Sequence, residues 1–277
     1  QAMKKITLRV LIGILLLFWA MITVTPFFYM IMTSLKQQKE LFTSGMFALP
    51  KSFYLGNYVD VLTKGTFPCY VGNSLFVVGI SLFLTLATSA FAAYPLSRFV
   101  FRGSKALYVL ILAGMAIPLH ATLIPVFLMS KNIGIYDTHW ALVGPYVAFN
   151  VPMSVFILTG FMKGIPTELE EAAEIDGCGK IRTFFNVILP LSVPGMATLA
   201  IYNSVMMWNE FIFALVLTQS VNIRTLPLSI WEYQGQYSAN QTMIMTALTL
   251  SSLPMILAFV IGQERLIKGM MAGAVKG

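Results

Sequence analysis

Five carboxylates, Glu168, Glu170, Glu171, Glu174 and Asp176, crowd into one short stretch of a 277-residue chain that has only 11 acids. Clustered acids can do general acid–base work or hold a metal ion when His or Cys stands beside them. Here His120 and His139 lie far off in the sequence, and Cys69 and Cys178 are too few for a metal or disulfide framework. Next to the acids, Gly177-Cys178-Gly179-Lys180 comes nearest to a phosphate-binding loop. It has Glu174 where such a loop needs its first Gly, and Ile181 where it needs Ser or Thr for Mg²⁺. The cluster therefore reads as a charged surface, not a reaction centre. The other chemistry-bearing group is Glu210, inside a long apolar run. Asn203 lies seven residues earlier, on the same helical face, with Tyr202, Met206 and Asn209 close by. Hydrogen-bonding groups beside aromatic surface suit a wet path for a polar solute. Tyr146 and Asn150 are further candidates for lining such a path.

The elements that must position these residues are set by hydropathy. Hydrophobic types make up 57% of the chain and charged types 10%, where a soluble domain carries roughly 25% charged residues. Mean hydropathy is +0.79. A water-soluble enzyme and a disordered chain are excluded, and the net charge of +7 does not indicate a nucleic-acid binder. Six stretches of at least 18 residues lack Asp, Glu, Lys and Arg: 10–35, 65–97, 106–130, 138–162, 183–209 and 233–263. A spanning helix needs about 20 apolar residues, which places spans near 10–30, 70–94, 107–129, 140–161, 196–218 and 243–262. Runs this long are not the alternation of a membrane barrel. The fold class is all-α integral membrane, with six transmembrane helices in one domain, residues 1–277.

Twelve basic residues, among them Lys4, Lys5, Arg9, Arg98, Arg102, Lys163, Lys180 and Arg265, fall on the side that holds both termini. Six fall on the other. The positive-inside rule puts both termini in the cytoplasm. The first apolar run is too long for a secretory signal and reads as a retained helix.

The acids then belong to a cytoplasmic loop, residues 162–195. Thr167 with Glu170 three residues on reads as a capping box, and early acids suit the positive end of a helix dipole. Gly177 and Gly179 stop this helix. Ile181, Phe184, Phe185, Ile188 and Leu189 form the apolar stripe of a second one, which Pro190 and Pro194 end. Elsewhere Pro118, Pro125, Pro145 and Pro152 are expected to kink the third and fourth spans. The external loop of about residues 31–69 carries Phe42, Phe47, Phe53, Tyr54 and Tyr58 and is expected to form short helices.

The string Glu171-Ala172-Ala173, then Asp176-Gly177, Phe185 and Leu189-Pro190-Leu191-Ser192 with Pro194-Gly195 strongly resembles the cytoplasmic EAA loop of permease subunits of bacterial ABC importers. Trp208-Asn209-Glu210-Phe211 fits the same family. The stretch Gly269 to Gly273, the ending Ala274-Val275-Lys276-Gly277, and the strings Asn57-Tyr58 and Asn73-Ser74-Leu75 are similar to carbohydrate permeases of the maltose-transporter G-subunit type. Cys178 departs from the small Ala or Ser usual after Asp-Gly.

The resemblance implies the type I ABC importer permease fold and a chain without a nucleotide site or cofactor of its own. ATP and Mg²⁺ would be handled by two partner ATPase subunits. A second homologous permease subunit and an extracytoplasmic sugar-binding protein would complete the assembly in the bilayer. The EAA helix would couple to the ATPase. Glu171 would face a basic residue there, Ala172 and Ala173 would allow close seating, Asp176 would cap the turn, and Gly177 would supply positive φ. A glycerol-phosphate-type or polyol cargo is the alternative within the class. An anionic cargo should bring Arg or Lys into the spans, and none is there. An ion-coupled secondary transporter would need more intramembrane acids and internal repeats.

Overall fold

The computed structural model describes residues 2–45, 48–234 and 240–274. Phe47 of the external loop and Val275, Lys276 and Gly277 of the tail lie outside the described residues. Among the described residues, four helices are long and apolar enough to cross a membrane: Thr7–Ser34 (within Ala2–Ser34), Phe67–Arg98, Trp140–Lys163 and Gln241–Gln263 (within Gln241–Ala274). Two bent pairs raise the number to six if each is one span: Ser104–Ala116 with Leu119–Asn132, bent by 91°, and Lys180–Leu191 with Val193–Trp208, bent by 68°.

The chain divides into two compact units. The first comprises Gln1–Pro68 and Ser229–Leu253. In its long N-terminal helix the span window within Thr7–Ser34 has no buried residue, which leaves that stretch open to lipid. The short helix Gly56–Thr63 is pinned to the end of that helix. The Asn57 side-chain amide donates to the carbonyls of Ser34 (2.8 Å) and Lys36 (2.7 Å), and the Ser34 and Tyr58 hydroxyls meet at 2.6 Å. Glu232 accepts bonds from the Thr66 N–H (3.0 Å) and hydroxyl (2.5 Å).

The second unit comprises Cys69–Leu228 and Pro254–Gly277. Its core gathers Ala90, Ala93 and Tyr94 of the Phe67–Arg98 helix, Leu158 and Met162 of Trp140–Lys163, and Ile165, Phe184, Ile188 and Leu199. The third span is not the straight 107–129 helix that its apolar run suggests. Pro118 has no N–H to give, and it pushes Ile117 out of the helical region to φ −75°, ψ 120°. The chain turns there. Pro145 and Pro152, expected to kink the fourth span, sit inside the continuous helix Trp140–Lys163. Pro152 instead fits against Gly114, where an added Cβ would approach its ring to 3.1 Å. The fifth span also differs from the expected 196–218. The helix Val193–Trp208 ends, the chain breaks at residues 209–211, and Ile212–Leu217 resumes. Gly195 lets Val193–Trp208 approach Phe161 closely, with a Cβ position 3.0 Å from the ring.

Candidate functional site

The loop expected at 162–195 forms in the second unit as the helix Glu168–Ile175, a turn, and a second segment running through Lys180–Thr183, a π-helical stretch Phe184–Ile188 and Leu189–Leu191. The capping box does not form. Thr167 has helical backbone (φ −70°, ψ −25°), and its side chain bonds no helix N–H. Its carbonyl accepts the N–H groups of Glu170 (2.9 Å) and Glu171 (3.1 Å) instead. Glu170 is turned inward for a physical reason: a cation waits there. Its Oε1 lies 2.5 Å from Nε of Arg98, and both side chains are almost fully buried. Arg98 also donates to the Ile165 carbonyl (2.8 Å), and the Tyr94 hydroxyl reaches Glu170 Oε2 (3.5 Å) and the Lys180 carbonyl (3.3 Å).

The inward turn of Glu170 fixes what faces out. Glu168, Leu169, Glu171, Ala172, Glu174 and Ile175 are exposed, while Ala173 is buried beside Glu170. The pair expected to give one close-seating surface is thus split: Ala172 lies on the outer face and Ala173 on the inner. The helix ends in a Schellman motif. The N–H of Gly177 bonds the Glu174 carbonyl (3.0 Å), and that of Cys178 bonds the Ala173 carbonyl (2.9 Å). Gly177 takes φ +81°, which only glycine adopts at no steric cost. Asp176 is the residue just before that turn. Its N–H bonds the Ala172 carbonyl, so backbone atoms close the turn. Lys180 and Glu174 pair across the turn in the open.

The apolar stripe of the second segment is narrower than its spacing suggests. Phe184 and Ile188 enter the core, but Ile181 is 77% exposed and Phe185 47%. With Ile175 at 86%, the loop presents large aliphatic side chains next to its acids. Under Leu169, an apolar cavity of about 400 Å³ is lined by Gly160, Phe161, Gly164, Ile165, Pro166 and Leu191.

The Glu210 group separates into two faces. Asn203 is fully buried and donates to the Ser154 hydroxyl at 2.9 Å. Glu210 sits at the break after Trp208, where it caps the next helix. Its carboxylate accepts the N–H groups of Phe213 (2.8 Å) and Ala214 (3.1 Å) and the hydroxyl of buried Tyr146 (2.9 Å). Its expected place inside a continuous helix, sharing a face with Asn203, is corrected by that break. Tyr202, Met206 and Asn209 do share one exposed stripe, at i, i+4 and i+7. Asn150 bonds the carbonyl of Tyr146 (2.7 Å).

Sequence reasoning missed the Arg98–Glu170 pair, since a cation at a helix C-terminus is ordinary. It also missed a latch at Asp137. That carboxylate accepts the N–H of Gln219 (2.7 Å) and the N–H (2.8 Å) and hydroxyl (2.5 Å) of Ser220, with Asp137 itself at φ +58°. Partial burial pushes the Asp137 carboxyl up, but these Ser220 and Gln219 bonds and the nearby Arg224 charge hold it below its usual value.

Residues 85–271 match the family described as binding-protein-dependent transport system inner membrane component. The ABC transporter permease protein ORF2 of Caldicellulosiruptor sp. (strain Rt8B.4) is 51% identical over 264 residues, covering 95% of this chain and 96% of that protein. The trehalose/maltose transport system permease protein MalG of Thermococcus litoralis is 32% identical, covering 100% and 99%. The fold is that of a chain in the crystal structure of a bacterial ABC transporter involved in the import of the acidic polysaccharide alginate. There the TM-score is 0.81 at 21% identity, covering 93% of this chain and 96% of the other. The chain belongs to the binding-protein-dependent transport system inner membrane components, the multi-pass membrane permeases of ABC transporters.

Proposed function

We propose that this chain is one of two homologous permease subunits of an ATP-driven importer that carries a sugar or oligosaccharide from an extracytoplasmic binding protein into the cytoplasm. Two ATPase subunits supply the energy, and both termini face the cytoplasm. The observation that carries the coupling part is the loop helix Glu168–Ile175. Its inner edge is bonded to the chain's own core through Glu170, and its outer edge, Glu171, Ala172 and Ile175, is exposed. An exposed face with acids beside large aliphatic groups fits a basic, apolar cleft on another protein. ATPase closure would move this helix and rock the spans between inward-open and outward-open states. Glu171, Ala172 and Gly177 are then the coupling residues.

The cargo reading rests on the relative named for trehalose and maltose and on the apolar stretches 70–94, 107–129, 140–161 and 196–218, which hold no Lys or Arg and so suit a neutral solute better than an anion. On this reading Tyr202, Met206 and Asn209 face the solute path or the second permease subunit. Purified complex in proteoliposomes, given ATP inside and its binding protein outside, should accumulate one member of a panel of labelled neutral sugars. Accumulation of an anionic sugar phosphate alone would overturn the cargo, and uptake without ATP would overturn the mechanism.

A further inference from the structure

We infer that Arg98, Glu170 and Tyr94 form a strut that makes the loop helix and the Phe67–Arg98 helix move as one body, so that force received by the loop enters the membrane through that helix. The inference rests on the proposed contact between the loop and an ATPase. It goes beyond that contact by naming the residues that carry motion onward.

The geometry is specific. Tyr94 and Arg98 are one helical turn apart and share a face. Between them they hold the loop at three separated points. Arg98 Nη2 bonds the Ile165 carbonyl, where the loop begins. Arg98 Nε and the Tyr94 hydroxyl take the two oxygens of Glu170, in the middle. Tyr94 also reaches the Lys180 carbonyl, where the second segment begins. Rings add a fourth hold, since Tyr94 packs against Phe184 with centroids 5.0 Å apart.

Burial makes the pair suited to this task. An exposed ion pair such as Lys180–Glu174 is screened and free to swing, and it constrains little. A buried pair is intolerant of separation, because parting the charges strands both without water. Apolar contacts alone let two helices slide. A buried ion pair resists sliding because its charges cannot part without water, and Ala173, also buried, keeps the helix close enough for Glu170 to reach.

The test uses the whole complex, purified through a tag on this chain, with Cys69 and Cys178 replaced by Ser. Spin labels at Phe83, an exposed position of the long helix, and at exposed Glu174 of the loop helix report their separation. ATP with vanadate serves as the probe that traps the closed ATPase. With Arg98 and Glu170 intact, the distance distribution should be narrow and unchanged between the nucleotide-free and trapped states. With Glu170→Gln it should broaden and shift in the trapped state while ATP hydrolysis continues. Glu170→Asp keeps the charge at shorter reach and should fall between the two, and this variant serves if Glu170→Gln does not assemble. An unchanged, narrow distribution in these variants would overturn the strut alone. A cross-linker on an Ala172→Cys variant that captures no ATPase subunit would overturn the reading of the loop, and the strut with it.

Discussion

Removing the carboxylate at 210 separates a frame residue from a solute-binding one. Glu210 serves three donors at once: two N–H groups of the next helix and the Tyr146 hydroxyl. A hydrogen bond to a charged group contributes about 1.5–3 kcal/mol in soluble proteins. Within membrane proteins the pairwise values average about 0.6 kcal/mol, because the unfolded chain finds other partners. Tyr146 is only 4% exposed, so its bond lies toward the stronger end. We expect Tyr146→Phe to cost about 1 kcal/mol. Glu210→Ala, which also removes a helix cap worth about 1 kcal/mol and strands buried donors, should cost about 3 kcal/mol. Glu210→Gln retains one acceptor oxygen and should lie between. SDS-titrated unfolding of the purified chain in detergent, followed by helical ellipticity, gives the four corners of a Tyr146→Phe/Glu210→Gln cycle. The coupling between the two changes should be about 1 kcal/mol. Additive effects near zero, with full stability and lost uptake in Glu210→Ala, would refute this reasoning and return Glu210 to the solute path.

Two further outcomes follow from the same geometry. At Gly177 an added Cβ would meet no atom within 4 Å, so only its φ of +81° restricts the residue. Gly177→Asn, which tolerates that region, should retain most uptake, and Gly177→Val should lose it while the protein still inserts; equal effects would show that size, not backbone, matters. The Asp137 latch should respond to acid. Its carboxyl is held below the usual value of 3.8, so its contribution is present above that pH and is lost as pH falls through the lower folded value. Asp137→Asn should flatten the acid limb of a stability–pH curve, and an unaltered limb would count against the latch.

What the sequence made legible was whatever depends on composition and local backbone. Apolar runs pointed to the four helices long enough to span and to the two bent pairs, though not to their bends, and Gly177 announced a positive φ. What it hid depends on tertiary partners. Thr167 and Glu170 have capping-box spacing, but a buried guanidinium outbids a helix N–H for the carboxylate, and nothing near Glu170 in sequence points to Arg98. The break after Trp208 was hidden because Ile212–Leu217 is as apolar as what precedes it. Only the bonds that Glu210 accepts show that it starts a new helix, so its helical spacing from Asn203 was misleading. Likewise, Ile181 and Phe185 carry core spacing yet stay exposed, in a segment that is not one regular α-helix but turns π-helical over Phe184–Ile188.

The loop helix Glu168–Ile175 has one face held by its own chain and, on the proposed reading, the other offered to an ATPase. The most direct measurement is a cysteine scan of residues 168–176, with cross-linking to the ATPase subunits in the purified complex. Capture should be strong at Glu168, Glu171, Ala172 and Ile175 and absent at Glu170 and Ala173. Even capture across the helix, or capture centred on Glu170 and Ala173, would contradict it.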